Sequence, residues 1–165
     1  MVIGYRLLVI DFWLLVIGYW LLTFGYWLML IVSEMEDKRF SFEGLDVYKE
    51  ARVLVSDVYR LQHRFPKYET YALGDQIRRS SSSVTSNIAE GSGRNSFKEK
   101  SHFIEIAYGS LMEAFSQLQI AQDLGYLSKE DIDAIRPSFI NVAKMLSGLK
   151  SYFDKNQGQS PLNNP

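Results

Sequence analysis

Apolar residues recur at helical spacing along most of this 165-residue chain, in four runs separated by residues that are typical of helix ends. From residue 35 onward, no stretch alternates between apolar and polar residues for long enough to indicate a strand. The pattern therefore predicts an all-α protein. Because four helices with short connections pack against their neighbours in sequence, it predicts an antiparallel up-down-up-down four-helix bundle.

The first two helices are bounded by proline and glycine. Helix 1 is predicted to end at Phe65, because the ring of Pro66 disfavours helical geometry at the residue before it. Helix 2 is predicted from Asp75 to Glu90, and Gly91 and Gly93 are expected to end it.

The last two helices each begin at a predicted cap. Ser96 lies three residues before Glu99, which is the spacing of a capping box, and Ser128 and Asp131 repeat that spacing at the start of helix 4. Gly125 is the expected end of helix 3.

Helix 4 also contains Pro137, which is expected to kink the helix or to divide it into two pieces. The tail from Lys155 is polar and rich in Asn, Gln and Pro, so it is predicted to be disordered. The four-helix domain is accordingly predicted over residues 35–154, with a disordered tail over residues 155–165.

Residues 1–34 differ sharply from the rest of the chain. They hold all three tryptophans, and Arg6, Asp11 and Glu34 are their only charged residues. The stretch from Leu14 to Val32 carries no charge. As a helix it would be about 28 Å long, close to the roughly 30 Å hydrocarbon core of a bilayer. One interpretation of this segment is therefore a membrane-spanning helix.

A second interpretation rests on a seven-residue repeat in the same segment. The unit Leu14–Trp20 recurs with a few changes on both sides, and a tandem heptanucleotide TTATTGG read through three copies encodes that unit. We favour the hypothesis that residues 1–34 are translated repeat DNA upstream of a start at Met35. A functional membrane anchor is the alternative.

The sequence shows no catalytic or metal-binding constellation. It has no cysteine, which excludes zinc ribbons, disulfide scaffolds and thiol nucleophiles and is compatible with a reducing compartment. Glu99 and His102 match the Glu-x-x-His unit of di-iron bundles, but such sites need a second copy of that unit, and the sequence has none. We therefore expect no enzymatic activity, no cofactor and no metal.

Basic residues outnumber acidic ones in the middle of the chain. Between Lys49 and Lys100 there are ten basic and six acidic residues. Those on helix 2, in the turn after it and at the start of helix 3 are candidates for contacts with RNA or DNA phosphates, without base specificity. They are Arg78, Arg79, Arg94, Lys98 and Lys100. A solvated charged face without a ligand is the alternative.

Four residues around the end of helix 2 are assigned a structural role. Asn87 and Glu90 lie in the last turn, where their side chains are expected to bind backbone groups of the turn into helix 3. Gly91 and Gly93 are expected to end the helix.

Several short motifs follow one another in a fixed order between Phe40 and Leu149. They are Phe42-Glu43-Gly44-Leu45-Asp46-Val47-Tyr48-Lys49, Phe65-Pro66-Lys67-Tyr68-Glu69, Gln76-Ile77-Arg78-Arg79, Ser86-Asn87-Ile88-Ala89-Glu90-Gly91-Ser92-Gly93-Arg94, Ile106-Ala107-Tyr108-Gly109-Ser110-Leu111 and Leu124-Gly125-Tyr126. The ordered set resembles the 23S rRNA intervening-sequence protein family, also called four-helix bundle proteins. The resemblance leaves residues 1–34 outside, in agreement with a start at Met35.

This resemblance implies a bacterial four-helix bundle that assembles as a homopentamer. Family members are encoded in insertions within large-subunit rRNA genes or elsewhere in the genome. A relative, the accessory variability determinant protein of diversity-generating retroelements, binds nucleic acid and a reverse transcriptase, so both are expected partners if this chain belongs to that branch. Gly74 departs from the family pattern, which usually has a threonine cap of helix 2 at that position.

Residues and resemblance together predict a non-enzymatic, oligomeric adaptor in the cytoplasm whose basic surface contacts RNA or DNA. A structural module for protein–protein interaction without nucleic-acid binding is the alternative. A membrane-anchored bundle is a third interpretation if residues 1–34 are expressed.

Overall fold

The computed structural model describes residues 17–29 and 40–157 of the chain. The chain divides into two compact units, Met1–Arg39 and Phe40–Pro165. In the first unit, residues 17–29 are helical, and most of their apolar side chains are exposed. The predicted start at Met35 and residues 158–165 of the predicted tail lie outside the described residues, whereas Lys155, the first residue of that tail, is helical. None of the described helices has both the length and the apolar character needed to cross a bilayer.

The second unit consists of four long helices, and the described part of the chain contains no strand. The prediction of an all-α protein is therefore confirmed. The helices are α1 (Asp46–Gln62), α2 (Leu73–Ser92), α3 (Phe97–Asp123) and α4 (Lys129–Lys155). Two short 3-10 helices, Ser41–Gly44 and Lys67–Glu69, precede α1 and α2.

The four helices pack around a single apolar core. Helix α1 packs on α2 and α4, and α3 packs on the same two helices. All fully buried apolar side chains described in this unit lie between Val47 and Phe153, so the unit carries its own core. The largest of them are Ile77, Ile88, Ile104, Leu111, Leu118, Ile132 and Leu146.

Contacts between helices are consistent with the antiparallel order that the sequence predicts. Ser83 on α2 lies 2.9 Å from Ser110 on α3, while Ser80, earlier on α2, donates a 2.8 Å hydrogen bond to Gln117, later on α3. At the start of α3, Ser101 donates to Asp154 at the end of α4.

These contacts define two ends of the helical unit. The turn between α2 and α3 marks the Gly93 end, where the ring of Phe97 meets that of Phe153 at 6.0 Å. The turn between α3 and α4 marks the Gly125 end, where the ring of Tyr126 lies 5.7 Å from that of Phe65.

The predicted caps of the last two helices are present. The hydroxyl of Ser128 accepts from the backbone N–H of Asp131, and the Asp131 carboxylate accepts from the backbone N–H of Ser128. The hydroxyl of Ser96 accepts from the backbone N–H of Glu99, but the Glu99 carboxylate accepts from that hydroxyl and not from the backbone N–H of Ser96, so only half of the predicted capping box forms at α3. Gly125 follows α3 with φ +76°, a conformation that favours glycine and explains why the helix ends there.

Helix α4 runs through Pro137 as one helix, so the expected division into two pieces does not occur. Proline removes only one backbone hydrogen bond donor from the helix interior. Ile135 and Phe139, on either side of it, are both buried in the core, so the turns before and after Pro137 are both anchored by packing.

The ends of α1 and α2 differ from the prediction by a few residues. Helix α1 ends at Gln62, and Phe65 turns into the core instead of extending the helix. Helix α2 begins at Leu73, so Gly74 is not its cap but lies buried in its first turn. A Cβ atom at Gly74 would approach Gln62 Nε2 to 2.8 Å and the carbonyl oxygen of Glu69 to 2.9 Å. Close packing therefore explains this glycine.

Candidate interaction surfaces

The five cations predicted to bind phosphates lie in two separate places. Arg78 and Arg79 belong to the first half of α2, on the side of the Gly125 end, whereas Arg94, Lys98 and Lys100 lie at the Gly93 end. Fifteen residues separate Arg79 from Arg94, which corresponds to about 22 Å along a helix. Within one copy of the chain, the five side chains do not form one patch.

The cations on α2 share one carboxylate. Arg79 is 80% exposed, and its Nε lies 2.8 Å from Asp75 Oδ2. Arg78 is only 22% exposed, lies 3.3 Å from the other oxygen of Asp75, and donates a 2.9 Å hydrogen bond to the carbonyl oxygen of Thr70. Of these two adjacent arginines, Arg78 is therefore the one that turns inward.

Arg94 is held in the turn between α2 and α3. Its guanidinium pairs with Glu90 one turn earlier and lies 4.5 Å from the centre of the Phe103 ring. Its Nε is buried and has no hydrogen-bond partner among the described residues. The positive charge of Arg94 is thus already paired with a carboxylate and an aromatic ring of the same chain.

Lys98 and Lys100 differ from the three arginines. Both lie in the first turns of α3, and neither forms an ion pair among the described residues. Cations near a helix N-terminus oppose the helix dipole, so these lysines do not stabilise α3. They are the predicted phosphate contacts whose charge is not already matched by a neighbouring carboxylate.

The polar residues at the end of α2 bind within or beside their own helix. Asn87 donates 2.8 Å and 3.0 Å hydrogen bonds to the carbonyl oxygen and the hydroxyl of Ser83, and Glu90 pairs with Arg94. The sequence predicts that Asn87 binds the turn into α3. Instead, its side chain binds Ser83 in the serine-rich middle of α2.

The two glycines at this point have different functions. Gly93 is the C-cap of α2 and has an ordinary right-handed conformation. Gly91 lies inside the last turn, and a Cβ atom there would lie 2.9 Å from the Cβ of Phe103 on α3. Gly91 thus allows α2 and α3 to approach closely.

An apolar groove lies between α3 and α4 in the described part of the helical unit. It encloses about 500 Å³. Its lining comprises Tyr108, Met112, Phe115, Arg136, Phe139, Ile140, Ala143, Lys144 and Ser147. The guanidinium of Arg136 lies 4.9 Å from the centre of the Phe115 ring, and no ion pair of Arg136 or Lys144 occurs among the described residues.

Exposed apolar side chains are distributed unevenly among the helices. Several large ones stand on α3 and α4, two on α1 and none on α2 within the described residues. They are Ile106, Tyr108, Met112 and Ile120 on α3, Ile140 and Tyr152 on α4, and Val53 and Tyr59 on α1. Among the described residues, α2 exposes a polar face, whereas α3 exposes four large apolar side chains among its polar ones.

The groove and the outer face of α3 were not identified from the sequence. The signal was the excess of apolar residues on α3: a helix with one buried face needs only about three per seven residues. Ile106, Met112 and Ile120 fall outside the spacing of the buried residues, and that excess could have revealed a second apolar face.

Few groups in this unit have shifted pKa values, and each shift has a local cause. The hydrogen bond from Ser101 and the ammonium of Lys150 lower the pKa of Asp154. A hydrogen bond with Tyr68, burial and the Glu69 carboxylate raise the pKa of the Tyr126 hydroxyl. No group of three acidic or histidine side chains that could hold a metal ion occurs among the described residues.

Comparison with known proteins identifies the family. The family model of the 23S rRNA-intervening sequence protein matches residues 43–148. A solved structure from Bacteroides thetaiotaomicron, a protein of unknown function from the S23 ribosomal protein family, shares the fold with a TM-score of 0.59 at 19% identity. The match covers 63% of this chain and 97% of that one. No curated protein matches the sequence. Because the family model spans more than half of the chain and all four helices, the chain belongs to the 23S rRNA-intervening sequence protein family.

Proposed function

We propose that this protein is a non-enzymatic adaptor that assembles from several copies of an antiparallel up-down-up-down four-helix bundle. The bundle arrangement is supported by the contacts of each helix with its neighbours in sequence and of α1 with α4. A chain without cysteine suits a reducing compartment, so we place the adaptor in the cytoplasm.

The observation that carries this proposal is the exposed apolar surface of α3 and α4. Single exposed apolar side chains are normal, but here they line one groove and the helix face beside it. Removing apolar surface from water contributes about 25 cal/mol for each Å² that is buried. Copies of the chain that cover this surface therefore gain stability, while the polar face of α2 stays in solvent.

Sedimentation equilibrium of the full chain tests the assembly. One copy has a mass of 19.0 kDa, and we expect a mass several times larger at micromolar concentration, with five copies as the number that the family resemblance favours. The same measurement on a chain that begins at Met35, which retains the whole core, separates this assembly from association through the apolar N-terminal segment. A single-copy mass for the shorter chain would contradict the proposal.

A second candidate function is the binding of RNA or DNA at the Gly93 end. Lys98 and Lys100 support it, because neither has an ion-pair partner among the described residues and both oppose the dipole of α3. Several copies in one assembly would present these lysines together to a single polyanion. Arg94 borders them but is already paired with Glu90.

A further inference from the structure

We propose that the outer stripe of α3 in one copy binds in the α3–α4 groove of a second copy. The outer stripe consists of Ile106, Gly109, Glu113, Ser116 and Ile120. This inference rests on the proposed self-assembly and names the two surfaces that meet in it. Both surfaces belong to α3 or border it, yet they are different surfaces, so one copy can use both at once.

The groove offers an apolar floor and a basic rim. Met112, Phe115 and Ile140 contribute to the floor, while Arg136 and Lys144 provide the charges of its lining. These two cations are eight residues apart on α4, or about 12 Å. Neither faces a carboxylate within ion-pair distance among the described residues. A ligand of this half of the groove should therefore be apolar with negative charge.

The groove continues toward the Gly93 end with a different character. Its extension is lined by Glu105, Lys150 and Asp154 as well as by apolar residues, and the last two of these charges pair with each other at 2.9 Å. Measured along α4 from Arg136, the depression extends for about 27 Å. That length suits a helix rather than a small molecule.

The outer stripe of α3 has the complementary properties. Ile106 and Ile120 are 39% and 45% exposed, and Glu113 lies midway between them. From residue 103 to residue 123 the helix contains Glu105, Glu113 and Asp123 but neither lysine nor arginine. The stripe is thus an apolar helix face whose only charge is negative.

Glu113 sets the register of this contact. With its carboxylate between Arg136 and Lys144, it lies about 6 Å along the helix from each cation. Ile106 and Ile120 then lie about 10.5 Å to either side, so the partner helix follows the groove past both cations. Gly109 leaves open space above α3, since no atom lies within 4 Å of a Cβ built there. That space allows the partner helix to approach.

Such a contact joins two different surfaces, so each copy can bind one neighbour through its stripe and another through its groove. The copies form a closed ring when the rotation between neighbouring copies divides a full turn evenly. A symmetric contact between two α3 helices would leave the groove and its cations uncovered. Charge reversal distinguishes these arrangements, because only the first places Glu113 against Lys144.

The test uses both the full chain and the chain that begins at Met35, which lacks the apolar N-terminal segment, with Glu113→Lys and Lys144→Glu, singly, combined in one chain, and as a mixture of the two single variants. Each single variant brings like charges together, so we expect its association constant to fall by at least about tenfold. The combined variant restores opposite charges at every contact and should recover most of the association. The mixture restores them wherever the two variants alternate, which includes every contact of an even-numbered ring and all but one contact of a five-membered ring, so it should recover a large part of the association. Circular dichroism confirms that each variant is folded.

Gly109→Gln provides a second measurement that does not depend on charge. The substitution fits a single copy without strain, so the helical unit should melt no lower than the wild type while association falls by a similar factor. Gly148→Gln is the matched control, because this α4 glycine is equally open and does not line the groove.

The results separate the inference from the function on which it rests. Recovery in the mixture, together with loss for Gly109→Gln alone, supports the contact. An assembled wild type whose mass is unchanged by Glu113→Lys, Lys144→Glu and Gly109→Gln overturns the contact and leaves the proposed self-assembly standing. A wild-type chain from Met35 that stays a single copy overturns both.

Discussion

At the scale of single residues, glycine and serine determine how closely α2 approaches its neighbours. Gly74 lies against Gln62 and Glu69 at one end of the helix, and Gly91 lies against Phe103 at the other. Between them, Ser80 and Ser83 bond to polar side chains of α3. The glycines therefore allow α2 to approach its neighbours closely. The serine hydroxyl groups fix the position of α2 along α3.

Gly91 gives the first stability prediction. Alanine normally stabilises a helix interior relative to glycine, but a Cβ atom at this position would lie 2.9 Å from the Cβ of Phe103. We expect Gly91→Ala to lower the free energy of unfolding by about 1–3 kcal/mol through overpacking. Gly148→Ala, where the added atom meets nothing, should instead raise it by about 0.5–1 kcal/mol. Urea unfolding of both variants makes the comparison, and equal effects of the two substitutions would disprove the close approach.

The arginines show what sequence reasoning missed at this scale. Asp75 lies three and four residues before Arg78 and Arg79, and Glu90 lies four residues before Arg94. This spacing is that of ion pairs on a helix, and the structure forms all three pairs. The signal was present in the sequence, but a count of charges hides it, because the count ignores which charges are neighbours.

At the scale of elements, the helix caps were predictable and the helix surfaces were not. Ser128 with Asp131 and Gly125 each act through groups within five residues in sequence, so the local sequence contains the whole cause. In the first turn of α2, Gly74 lies against Gln62 of α1, twelve residues earlier, so the local sequence does not contain the reason for this glycine. The groove between α3 and α4 likewise depends on which of the apolar faces of α3 the other helices cover.

The cap of α4 gives a prediction about pH. Hydrogen bonds from the backbone and hydroxyl of Ser128, and the guanidinium of Arg64, lower the pKa of Asp131 from its ordinary value of 3.8. A carboxyl whose pKa is lower in the folded state stabilises the protein above its unfolded pKa, and that contribution is lost as the pH falls through the folded value. Asp131→Asn should therefore lower the free energy of unfolding by about 1 kcal/mol at neutral pH. The difference from the wild type should shrink below pH 3.8.

Asp133→Asn is the control for this prediction. Asp133 pairs with Lys129 on the same helix in an exposed position, and such pairs contribute less than about 0.5 kcal/mol. Urea midpoints at neutral pH and at pH 3 measure both variants. A difference between wild type and Asp131→Asn that stays constant with pH would show that the carboxylate is not the source of the stability.

At the scale of the whole molecule, the distribution of charge sets what the helical unit can bind. Most of the described arginines are paired with a carboxylate. The excess of positive charge in the middle of the sequence is partly matched across the fold, since Arg64 near the end of α1 pairs with Asp131 on α4. A count of charges over a segment of the sequence therefore overestimates the basic surface of the folded protein.

This distribution changes the prediction for nucleic-acid binding. In a titration of RNA or DNA against salt, each phosphate contact adds about 0.7–0.9 to the slope of log K against log salt. We expect Lys98→Ala with Lys100→Ala to flatten that slope, and Arg78→Ala with Arg79→Ala to change it less because Asp75 already balances part of their charge. The loss should be the same for all base sequences.

Two results would count against nucleic-acid binding at the Gly93 end. One is a wild-type chain that binds neither RNA nor DNA at about 50 mM salt, where phosphate contacts are strong. The other is a salt slope that responds only to the α2 arginines. Sedimentation of the lysine variant provides the control, because its assembly should be unchanged.

Helix α1 begins and helix α4 ends at the Gly93 end of the unit. Ser41, just before α1, lies 3.2 Å from the hydroxyl of Ser92, and the Phe153 ring near the end of α4 packs on Phe97. The order of the helices along the chain can therefore be changed without changing how they pack. A circularly permuted gene that joins residue 157 to residue 40 through a short linker, and opens the connection over residues 63–72, retains every long helix and every contact between them.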